Sequence, residues 1–140
     1  MKYKSKWKEL EEKHPPLKTL RKSHVWPFPE IGEGWYKIID EMMIRIKAVY
    51  QENNWDITKF EVHQVKEKFG GLRFYTGGLP EGVHDIIHEY ENKSYTVCEE
   101  CGEKGELREN LPWIRTLCDT HYAKVRKKYE DEGWTIKQDN

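Results

Sequence analysis

Cysteine is scarce in this 140-residue chain, long apolar runs are missing, and neither sign of charge dominates. Three thiols cannot pair off among themselves, so the disulfide framework that supports many small secreted domains is excluded. No window approaches the roughly 18 apolar residues of a membrane span. The opening MKYKSKWKELEEKH also lacks the apolar stretch of a secretion signal. The expected compartment is therefore the reducing cytoplasm of a bacterium or a host cell. A net charge of −1 leaves out the strong basic excess from which non-specific nucleic-acid binders draw affinity. Residues 1–34 carry an excess of three positive charges, and 35–97 and 98–140 an excess of two negative charges each. No internal repeat or low-complexity run occurs. FGG and TGG lack the downstream Lys and Ser/Thr of a phosphate loop, and no Ser-His-Asp set can be assembled.

What the chain does hold is charge and aromatic surface together: 35% charged residues, 13% aromatic, with six Trp and eight Tyr. High charge with few aromatics would signal disorder, whereas this many large rings argues for a folded core. A chain of this length buries roughly two-thirds of its unfolded surface. The expected class is α+β. A helix and β-hairpin body over residues 1–95, with an N-terminal helical extension, would carry a metal-binding module over 96–140.

Tyr3, Trp7 and Leu10 at helical spacing predict a short amphipathic helix over 3–13, ended by His14-Pro15-Pro16. HVWPFPEIGEGW (24–35) alternates rings with prolines, which predicts an extended segment laying Trp26 and Phe28 on the core; a Pro-rich docking motif is the other reading. Trp35, Ile38, Ile39, Met42, Ile46 and Val49 mark the clearest helix, over 35–50. FEVHQVKEKFGGLRFYT (60–76) reads as a β-hairpin turning at Gly70-Gly71. Val65, Leu72 and Phe74 would share the core face, and Lys66, Arg73 and Tyr75 the opposite one. A third helix fits 81–93, with Val83, Ile86, Ile87 and Tyr90 inward.

All three cysteines fall in CEECGEKGELRENLPWIRTLCDTH, as Cys98-x2-Cys101, sixteen residues, then Cys118-x2-His121. Two ligands separated by two residues reach one ion from a tight turn, and Zn²⁺ takes four such ligands tetrahedrally. Gly102 would relax the first turn. ELREN and PWIRTL would form a hairpin, and DTHYAKVRKKYEDEG a helix with Asp119 in its first turn. Four protein ligands close the coordination sphere, so the zinc is expected to be structural, and a module this small needs it to fold. No H-x-E occurs, as a zinc deaminase would require, and the hairpin holds no His to serve as a nuclease base. Trp113 and Ile114 would be left to dock the module on the body. Knuckle, hairpin and ligand-bearing helix in this order resemble a treble-clef zinc finger over 96–132.

Outside this segment, His84 and His88 sit four residues apart on a predicted helix, and His63 could join them at a second metal site. The bland reading is a solvated pair. Lys124, Arg126, Lys127 and Lys128, together with Arg73 and Tyr75, are the candidate nucleic-acid contacts. The block HQVKEKFGGLRFYTGG followed by CEECG and TLCDTH resembles small zinc-finger-containing proteins of bacteria and phages, over roughly 34–122. That resemblance implies a shared fold with zinc at Cys98, Cys101, Cys118 and His121, a setting in which host or defence factors are bound, and no particular activity. The first expectation is a non-catalytic, zinc-stabilised protein acting through a protein partner. A nucleic-acid-binding zinc finger is the alternative, and a metal-dependent nuclease using His63, His84 or His88 the second. Oligomeric state is open.

Overall fold

Apolar residues three and four apart organise the helical part of the chain. The computed structural model describes residues 2–24 and 26–138, with side chains from residue 6 onward, so the side chains of Lys2, Tyr3 and Lys4 lie outside the described residues. In α1 (Lys2–Lys13), Trp7 and Leu10 are buried. The prolines end α1, yet the chain continues as a 3₁₀ helix, Pro15–Lys22, that buries Leu17 and Leu20. A buried Glu11 carboxylate fastens this stretch to α1, accepting from Arg21 Nε at 3.0 Å and Nη2 at 2.5 Å.

Helix α2 (Tyr36–Glu52) runs through the core and buries Ile38, Ile39, Met42, Met43, Ile46 and Tyr50. Val49, expected inside, lies half-buried at the margin. Lys13 Nζ and His14 Nε2 bond to Asp40 on α2 at 3.0 and 2.6 Å. Burial pushes the Asp40 pKa up, but the bonds from His14 and Lys13 outweigh it and hold the carboxyl below its ordinary range.

Strands β1 (Val62–Lys68) and β2 (Gly71–Thr76) pair antiparallel, with Val65 opposite Phe74 and Lys66 opposite Arg73. Val65, Leu72 and Phe74 are buried, and Lys66 Nζ lies 5.9 Å from the Tyr75 ring on the other face. The turn departs from expectation by one residue. Lys68 pairs with Gly71, so Phe69 and Gly70 form the loop with φ of 51° and 85°. Gly71 belongs to the strand, where a Cβ would meet the Tyr95 ring at 2.4 Å. Helix α3 (Val83–Lys93) turns Val83, Ile86, Ile87 and Tyr90 inward, as its spacing demands. Its end also closes the outer edge of β2: Leu72 N donates to Ser94 Oγ at 2.9 Å and Phe74 N to Glu91 Oε2 at 2.8 Å.

Residues 26–32 form no helix, and the expected extended segment gives way to a 3₁₀ turn at Glu33–Trp35; Trp26 and Phe28 do not pack on the core. They are 46% and 38% exposed and meet each other edge-on at 6.4 Å. The anchor is backbone instead, because Glu30 N donates to Val65 O and Glu30 O accepts from Glu67 N on β1. Beyond residue 96, β3 (Glu106–Arg108) pairs with β4 (Arg115–Leu117), and α4 (Asp119–Asp131) follows. This region has a small apolar cluster of its own, comprising Cys98, Leu111, Leu117, Tyr122 and Ile136. The architecture is α+β.

Candidate metal centre

The first ligand pair sits on a tight backbone turn. Cys98 N donates to Glu103 O at 2.7 Å, Gly102 N returns to Cys98 O at 2.9 Å, and Gly102 takes the positive φ of 83° that closes it. The second pair opens α4. Cys118 is its N-cap, and its Sγ accepts from His121 N at 3.4 Å, in place of the usual capping oxygen.

These elements bring four donors together. Cys98 Sγ lies 3.7 Å and Cys118 Sγ 3.3 Å from His121 Nδ1, Cys101 Sγ lies 3.8 Å from Cys118 Sγ, and all four donor atoms fall within 4.8 Å of one another. A tetrahedral ion with metal–sulfur bonds of about 2.3 Å and metal–nitrogen bonds of about 2.0 Å spaces its ligands by about 3.8 Å (S to S) and about 3.5 Å (S to N). The donor set fits such an ion. The thiols are free and not cross-linked. The Glu103 backbone N–H pulls the Cys101 pKa down, but lost hydration and the neighbouring Cys98 and Cys118 sulfurs push it up to about 11. Cys118 is brought down to about 7, chiefly by the His121 backbone N–H. A cation between the sulfurs would favour their thiolate form.

The centre is locked to the body where sequence reasoning did not look. Gly34 N donates to Glu99 O at 2.7 Å, Gly32 N to Glu99 Oε2 at 3.0 Å, and Trp35 Nε1 to Val97 O at 2.8 Å. The approach is so close that a Cβ on Gly34 would lie 2.1 Å from Cys98 O. Burial raises the Glu99 pKa, against the Gly32 N–H and the Arg115 charge that lower it. On the other side, buried Thr116 donates to Gly70 O at 2.7 Å, joining β4 to the hairpin tip. Trp113, expected to dock the module, is 65% exposed. Ile114 does reach the tip and lies near Gly70. The spaced glycines of GEGW were the available signal for this docking.

Compared with protein-family models, curated proteins and solved structures, the chain matches none.

The remaining candidate residues disperse. On α4, Arg126 bonds Tyr122 Oη at 3.3 Å and Ile136 O at 3.4 Å, and Lys127 pairs with Asp131 at 3.0 Å; Lys124 and Lys128 are exposed. Arg108, unremarked in the sequence, stacks 4.4 Å from the Tyr122 centroid and bonds Leu117 O and Asp119, bracing the start of α4. His63 lines one groove with Thr19 and Thr58, whereas His84 and His88 line another with Arg73 and Tyr75. Among the described residues, only Cys98, Cys101, Cys118 and His121 form a group of three or more ligating side chains, and no helix is long and apolar enough to cross a membrane.

Proposed function

We propose that this is a non-catalytic binding protein whose C-terminal segment is a treble-clef-like finger held by structural zinc. The single observation that carries the reading is the closed donor shell. Three sulfurs and one imidazole lie together and would fill four tetrahedral positions about one ion, whereas catalytic zinc keeps one open for water. The sulfur-rich set favours Zn²⁺ over hard cations. The order of knuckle, β3–β4 hairpin and ligand-bearing α4 supports the treble-clef assignment. The cytoplasmic setting rests on the three unpaired thiols and the apolar-poor opening of the sequence, and the phage-type setting on the sequence resemblance.

The partner surface we assign lies where the hairpin tip meets the finger. Phe69 and Trp113, 66% and 65% exposed, line one groove with Pro112 and Ile114. Phe69 holds a left-handed φ of 51° that a bulky side chain adopts at a cost, and such strain concentrates at working sites. Glu30 and Glu67 border the adjoining groove that Trp113 shares. An extended protein segment presenting an apolar anchor complements this surface.

The nucleic-acid reading has less support on α4, because Arg126 and Lys127 are held within the chain. A nuclease at His63, His84 and His88 would have to draw on two separate grooves. The test is affinity capture of the tagged chain from its own cells after nuclease treatment, beside a Phe69→Ala/Trp113→Ala variant and elemental analysis for zinc. A protein retained by the wild type and lost by the variant supports the proposal. Capture of DNA or RNA alone, or a chain purified without zinc, overturns it.

A further inference from the structure

At the other end of the hairpin, a groove of about 460 Å³ separates the outer face of β2 from α3. Arg73, Tyr75, His84, His88, Glu91 and Asn92 belong to its polar lining. The half-buried Arg73 guanidinium is oriented by Leu72 O at 3.0 Å and Tyr95 Oη at 3.2 Å. Among the described residues no carboxylate pairs with it. Glu91, the acid in the lining, is turned toward the strand: its Oε2 accepts from Phe74 N at 2.8 Å and its Oε1 lies 3.3 Å from His88 Nδ1. Glu89, one turn away, is taken by Arg45.

An arginine held in place by neutral partners, in a groove also lined by two imidazoles and an amide, is a receptor for an anion. A phosphate offers three oxygens that Arg73 and the imidazole nitrogens not turned to Glu91 could serve together. Tyr75, 42% exposed with Lys66 over its ring, adds a π-face of the kind on which bases stack. We propose that this groove binds a phosphate monoester attached to a planar base, as a free nucleotide or as the 5′-phosphorylated end of a strand. Arg73, His84 and His88 would hold the phosphate and Tyr75 would stack the base. This goes beyond the partner surface at Phe69 and Trp113 and stands or falls separately from it.

The metal-loaded full chain is titrated calorimetrically with adenosine monophosphate, adenosine, inorganic phosphate, and a short oligonucleotide with and without a 5′-phosphate. Saturable one-site binding of the nucleotide is expected, with adenosine at least tenfold weaker. Arg73→Gln should weaken binding about ten- to hundredfold, the usual effect of losing a hydrogen bond between charged groups. His84→Ala, at an exposed position that leaves folding untouched, should weaken it severalfold. Tighter binding of the phosphorylated oligonucleotide than of the nucleotide identifies the strand end as the source, and equal binding identifies the free nucleotide. If Arg73→Gln unfolds, a Tyr75→Leu/His84→Ala variant makes the same measurement. The proposal is overturned if no probe binds saturably, if adenosine matches the nucleotide, or if the variants bind like the wild type.

Discussion

Substituting Gly34 by alanine tests whether the metal centre is fastened to the body as described. Gly34 has no positive φ to lose, so the change would ordinarily stabilise by about 0.5–1 kcal/mol through the unfolded chain. Here the added methyl would lie 2.1 Å from Cys98 O and 2.5 Å from Glu99 O, where real Cβ contacts stay beyond 3.0 Å. Both neighbours are backbone in a close-packed junction, so the knuckle must retreat by about 1 Å. That breaks the bonds from Gly34 N, Gly32 N and Trp35 Nε1, at about 1 kcal/mol each. The net expectation is a loss of about 2–2.5 kcal/mol. If docking and metal binding are linked, affinity for the ion falls with it, about 30- to 60-fold at about 1.4 kcal/mol per decade. Urea unfolding of the metal-loaded chain and competition with a chromophoric chelator measure the two effects. Gly78→Ala, with nothing within 4 Å of its added methyl, is the control and should be neutral or slightly stabilising. Gly34→Ala behaving like Gly78→Ala in both assays would refute the packing argument.

Thr116→Val preserves shape but leaves Gly70 O unmet inside the protein, and should cost about 1–2 kcal/mol in denaturant unfolding. Phe69→Asn suits the left-handed turn better than phenylalanine does; stability should rise by up to about 1 kcal/mol while partner capture falls. Glu99 has a raised pKa, so its favourable contribution is complete below the ordinary carboxylate range and is lost as pH rises through the folded value. Between wild type and Glu99→Gln, the stability difference should therefore move toward the wild type as pH is lowered from 7 to 5, both metal-loaded. Cys101→Ser should sharply weaken metal binding in the chelator competition while the far-ultraviolet signature of α2 and α3 persists, since Cys101 is exposed and outside the apolar cluster.

Periodicity carried the reading where one face of an element decides its burial. Helices α2 and α3 and the two faces of the hairpin were legible because their apolar residues repeat at 3.6 or 2. The ligand set was legible because its spacing reflects coordination geometry, which is local. Contacts between distant segments leave no such period. The Glu11–Arg21 pair, the 3₁₀ stretch burying Leu17 and Leu20, and the Gly32–Gly34 seat of the knuckle were all missed. Trp26 and Phe28 were misplaced because area alone argues for burial, while Glu30 already anchors that segment through its backbone. The turn slipped by one residue because two glycines in a row promised positive φ at both. Close packing under Tyr95 claims Gly71 for the strand, and the positive φ falls to Phe69.

The single bond from Thr116 to the Gly70 carbonyl gives the aromatic tip an unusual dependence. Phe69 stands on the body and Trp113 on the finger, so their shared groove exists only while the two are held in register. On the proposed reading, starving the cell of the ion would then silence recognition without altering one residue of the surface proposed to touch the partner. A bound partner would, by the same coupling run backwards, make the ion harder to strip.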